Sequence, residues 1–105
     1  MKLLTKEILS KLPKIYEQEG KGDQAIVYIK FFTPDAQFTW YVIEGEPINE
    51  TSDYEFFGLV QNGDIEELGY FRLSELLTVR GHLGLPIERD RYFIPTKLKE
   101  VKMYK

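Results

Sequence analysis

A chain of 105 residues has the size of one domain and is long enough to bury roughly two thirds of the surface its unfolded form exposes. Hydrophobic residues at 43% and charged residues at 30% exclude intrinsic disorder, and a formal net charge of −3 argues against non-specific attraction to nucleic acid or anionic membrane. The absence of cysteine removes disulfides, thiolate metal sites and a cysteine nucleophile.

The N-terminal segment MKLLTKEILSKLP breaks its apolar residues with charges, unlike a secretory leader, and no stretch approaches a membrane span. A cytoplasmic location without membrane contact is therefore the expectation. Thr5 predicts an N-cap for a short helix to about Leu12, with Leu4, Ile8 and Leu12 or Leu9 on one face, and Pro13 interrupts it. Glu17 to Asp23 reads as a polar connection. Its GKG lies between a helix and a strand, the wrong context for a phosphate loop.

Ala25 to Phe32 reads as a strand covered on both faces, Thr33-Pro34-Asp35 as a turn, and Phe38 to Glu44 as the antiparallel neighbour. Strict alternation in the latter puts Thr39, Tyr41 and Ile43 on one face and Trp40, Val42 and Glu44 on the other. After a polar connection from Gly45 to Asp53, Tyr54 to Gln61 and Ile65 to Arg72 form a hairpin around Asn62-Gly63, residues that suit a type I′ turn. Seven Tyr, seven Phe and one Trp suit such pleated faces.

Ser74 predicts the N-cap of a helix from Glu75 to about Val79. RGHLGLP then reads as a loop shaped by two glycines and a proline, Tyr92 to Ile94 as a short edge strand, and Pro95 or Thr96 as the start of a final helix through Lys102, burying Leu98 and Val101. The resulting fold class is α+β: a single domain over residues 1–105, a four-stranded antiparallel meander with a short fifth edge strand, packed by N-terminal, middle and C-terminal helices.

Two groups of residues invite chemistry. In the loop, Arg80, His82, Glu88, Arg89 and Asp90 could form an anion-binding pocket through paired guanidinium donors, or Arg89 could pin the loop through Glu88, Asp90 or Glu67. On the sheet, Trp40, Tyr41, Glu44, Phe57, Glu67 and Tyr70 could anchor a partner or stack bases, or could pack the core. His82 is the only histidine, so the usual zinc sets are excluded. No acidic spacing specifies magnesium, and no serine has a glycine-flanked elbow. No cofactor is expected.

The strings FFTP (Phe31–Pro34), TWYVIEG (Thr39–Gly45), FFGLV (Phe56–Val60), ELGYFRLSEL (Glu67–Leu76) and RGHLGLPIERD (Arg80–Asp90) resemble the short bacterial and phage proteins catalogued as domain of unknown function family twenty-nine fifty-eight. The resemblance implies carriage by plasmids, conjugative elements and phages, sometimes beside antirestriction proteins or within larger polyproteins. It assigns no catalytic residue. The matching strings contain Tyr41, Glu44, Glu67, Arg80, Glu88, Arg89 and Asp90. The expected function is a small binding module for a protein or nucleic-acid-associated partner. The alternative is an enzyme or binding protein for an anionic small molecule or nucleotide, using Arg80 and Arg89 with Glu67 or Glu88 as acid or base.

Overall fold

In the computed structural model, which describes residues 3–103, the expected meander is the frame of the molecule. Strand β2 (Ile29–Phe32) pairs with β3 (Phe38–Pro47), β3 with β4 (Tyr54–Asn62), and β4 with β5 (Ile65–Arg72), all antiparallel. A fifth strand, β6 (Glu88–Arg89), lies on the outer side of β2 and gives the order β5-β4-β3-β2-β6. This edge strand stands at Glu88–Arg89 rather than at Tyr92–Ile94, because Arg89 and Glu88 are opposite Phe31 and Phe32.

The segment read as one strand from Ala25 is broken at Tyr28. Ahead of the break, β1 (Ile26–Val27) leaves the main sheet to pair with β7 (Thr96–Lys97), forming a separate two-stranded ribbon. Thr96 and Lys97 thus lie in a strand, and the final helix α3 is confined to Leu98–Val101. It buries Leu98, while Val101 is only partly covered. The first helix, α1 (Lys6–Lys11), begins as the sequence predicts, with the Thr5 hydroxyl accepting from the Ile8 amide at 3.3 Å.

The hairpin between β4 and β5 is offset by one residue from the expected register. Asn62 pairs with Ile65, so the two turn residues are Gly63 and Asp64. Gly63 has φ +63° and Asp64 is not in the positive-φ region, an arrangement with glycine first that matches a II′ turn.

A β-bulge between Val42 and Glu44 interrupts the alternation of β3. Before it, Trp40 and Val42 join Phe31, Phe56, Phe71 and Leu76 in one core, under α1 and helix α2 (Leu73–Thr78). Tyr41, Ile43 and Leu59 face the other way, with Val27 and Leu98 in a second core. The extra residue puts Glu44 opposite Phe57 on this second face, not beside Trp40 and Val42 as strict alternation implies. Gly58 of β4 stands across from the bulge with no room for a side chain, since a Cβ there would overlap the Tyr41 carbonyl.

Helix α2 starts two residues earlier than expected, at Leu73, with Arg72 rather than Ser74 as its cap. Ser74 lies within the first turn. Its amide and hydroxyl both donate to Asp53, which reaches over from the β3–β4 connection.

Candidate functional site

The residues singled out by sequence fall into four places. Arg80 is exposed and turns back on α2, donating to the carbonyls of Leu77 at 3.0 Å and Val79 at 2.8 Å. Those acceptors belong to the last turn of a helix, where a guanidinium satisfies carbonyls left without intrahelical partners. Glu67 is exposed on the edge strand β5, opposite Val60, and borders a shallow recess of about 310 Å³ with Phe38 and Ile65. Glu44 is buried at the far end of β3. Only Glu88, Arg89 and Asp90 meet in one cleft.

The loop from Arg80 to Pro86 is organised by a residue that spacing did not reveal. Asp35, in the β2–β3 turn, accepts from the amides of Leu83 at 2.7 Å and Leu85 at 3.2 Å. The loop also closes on itself through the Gly81 amide and Leu85 carbonyl at 3.1 Å. Glycine is required at 81, because a Cβ there would overlap the Asp35 carboxyl. His82 is exposed on this loop.

The cleft of about 650 Å³ lies beside the β2–β3 turn and along β6. Its charged wall carries Lys30, Glu88, Arg89, Asp90 and Arg91, and its apolar part includes Phe32, Phe38 and Tyr92. Asp90 is fixed from both sides: its amide donates to the Lys30 carbonyl at 2.9 Å, and its carboxylate accepts from the Tyr92 amide at 2.9 Å. Lys30 is 4.0 Å from the Asp90 carboxylate and 5.9 Å from the centre of the Tyr41 ring. Burial, with Asp90 and Glu66 as negative neighbours, raises the Tyr41 phenol above its usual range. Arg89 donates to the Leu3 carbonyl at 2.9 Å, which ties the start of the described chain to this edge.

Mixed charge, aromatic rings and an open shape equip the cleft for hydrogen bonding and anchoring. No nucleophile here is paired with an orienting base among the described hydrogen bonds, and the described residues contain no cluster of acidic groups and histidine suited to a metal ion. Tyr92 is 88% exposed at the rim and Ile94 73% exposed beyond it.

Around Glu44 the chain builds a different environment. Its two oxygens accept from the Tyr16 amide at 3.0 Å and the Gln18 amide at 2.6 Å, drawing the loop after α1 onto the sheet. Tyr16 is held there at φ +75°, a left-handed conformation that side chains rarely adopt. Gln18, also buried, exchanges side-chain hydrogen bonds with both backbone groups of Ile26 and donates to the Ile43 carbonyl. A hydrogen bond with Tyr16 raises the Tyr70 phenol above its usual range, with partial burial and the charges of Glu44 and Glu55 acting in the same direction. Gln18 and Asp35 were missed because nothing in their local spacing marks a long-range contact.

The family described as Protein of unknown function (DUF2958) matches residues 3–103, nearly the whole chain, and the protein belongs to it. No curated protein and no solved structure matches the chain. No helix among the described residues is long and apolar enough to cross a membrane.

Proposed function

We propose that this DUF2958 protein is a small non-enzymatic binding module that engages a protein partner through the cleft along β6. The observation that carries this reading is Tyr92, 88% exposed at the rim of a cleft whose wall carries Lys30, Glu88, Asp90 and Arg91. An exposed aromatic ring beside charges of both signs supplies contact area, while the charges fix orientation and select the partner. We assign the module to the cytoplasm and to plasmid or phage carriage in a counter-defence setting, on the strength of the resemblance described above.

A photo-crosslinking residue placed at Arg91 in the natural host tests the surface. Tyr92→Ala should reduce the crosslinked partner about tenfold, the effect of losing one aromatic anchor. Ile65→Ala, on the opposite sheet edge, should leave it unchanged. Equal yields from the two variants would overturn the assignment.

The reading as an enzyme or receptor for an anionic ligand draws less support, since Arg80 and Glu67 lie apart from Arg89 and Glu88. A thermal-shift response to nucleotides that Glu88→Gln abolishes would favour it instead.

A further inference from the structure

A second cavity, of about 300 Å³, lies where the loop after α1 covers the end of β3, β4 and β5. That volume is at the lower end for small-molecule pockets, so its occupant must be small. Phe57 and Tyr70 form an aromatic wall, with ring centres 5.0 Å apart and planes at 53°. Tyr16 adds a third ring, and Leu68 supplies an apolar flank.

The charge of this cavity has one sign. Its lining includes Glu19, Asp23 and Glu44 and no lysine, arginine or histidine. Asp23 is neutralised from outside by Lys102 at 3.0 Å, which leaves Glu19 at the mouth and Glu44 within. Glu44 is only 4% exposed, and the described ion pairs give it no cationic partner. Each of its oxygens accepts one amide and retains capacity for another donor. A buried carboxylate beside aromatic faces favours a cation, because the ring quadrupoles and the carboxylate attract positive charge from the same space. An anion would be repelled, and a neutral ligand would leave the carboxylate without a counter-charge.

We propose that this cavity binds a small alkylammonium ion, with its charged head between Glu44 and the rings of Tyr16, Phe57 and Tyr70 and its aliphatic body against Leu68. The site is separate from the cleft along β6 and stands independently of the partner-binding reading.

Titration of the full chain with choline, n-butylammonium and the neutral choline isostere 3,3-dimethylbutan-1-ol, followed by amide chemical shifts, tests the proposal. Saturable binding of either cation, with shifts at Glu44 and Tyr70 and none from the alcohol, is the expected result. Choline alone would identify a methylated head, and n-butylammonium alone a head that donates hydrogen bonds to Glu44. Tyr70→Leu should weaken binding about threefold to fivefold, as expected for loss of a half-exposed cation–π contact. Leu68→Lys should abolish it by placing the protein's own ammonium at the flank. These two positions are 52% and 51% exposed, so the spectra of both variants should retain the native dispersion. Equal binding of the alcohol, silence toward both cations at tens of millimolar, or undiminished affinity in Leu68→Lys would overturn the proposal.

Discussion

Asp53 stands in the connection before β4, yet its oxygens accept from the Ser74 amide at 3.0 Å, the Ser74 hydroxyl at 2.7 Å and the Tyr54 amide at 2.8 Å. The Ser74 hydroxyl is the foremost cause of a carboxyl pKa below the ordinary aspartate value. A folded-state pKa below the unfolded one contributes stability above the unfolded value and loses it as pH falls through the folded one. An NMR titration should therefore place the Asp53 midpoint below that of an unstructured aspartate, and Ser74→Ala should move it upward. The stability lead of the wild type over Ser74→Ala, measured by urea unfolding, should shrink over the same acidic range. The sequence marks Ser74 as a helix N-cap; the helix instead starts at Leu73 under Arg72, and Ser74 lies in its first turn. What local pattern cannot supply is the acceptor: Asp53 is 21 positions away and reaches Ser74 only once β4 and β5 have paired. Arg80 is the reverse case: its acceptors, the carbonyls of Leu77 and Val79, are neighbours in sequence and take the donors that a binding site would use.

At the scale of elements, strands marked by alternation and by a turn were legible, and elements defined by a remote neighbour were not. The meander follows from apolar runs, Thr33-Pro34-Asp35 and the glycine at 63, all local signals. β6 and β7 hold two residues each and carry no periodicity of their own. They are strands because Phe31 and Phe32, or Ile26 and Val27, offer them an edge. The loop after α1 is the sharper case. Its polarity suggested a surface connection, yet Gln18 acts in it as a substitute strand, meeting backbone groups of Ile26 and Ile43 on the side where β1 has left the main sheet. Gln18→Ala would leave buried donors and acceptors unpaired, at a cost of about 1–3 kcal/mol for each group that water cannot reach. Chemical denaturation should show the midpoint falling by that order with an unchanged slope, while Glu19→Ala, one exposed residue further on, should shift it little.

For the whole molecule, the two cores lie on opposite faces of the same strands. Phe56 and Phe71 anchor one and Leu59 and Leu98 the other, with β4 contributing to both. Melting of either face removes the support of the other, so one cooperative transition is expected. Trp40 is in the first core and reports on it by fluorescence. Leu98→Ala, on the second face, should nevertheless lower the Trp40 transition, by about 2–5 kcal/mol for a large-to-small change at a buried site. A Trp40 signal that ignores Leu98→Ala would show that the faces unfold separately. The bulge in β3 adds a rule about chain length. Residues 48–53 form a connection in which an inserted residue lengthens a surface loop at little cost. Between Trp40 and Gly45 the count is fixed: removal of one residue would restore strict alternation but take a buried side chain, such as Val42 or Ile43, from its core. Insertions and deletions should therefore be accepted after Pro47 and rejected a few positions earlier in the same strand.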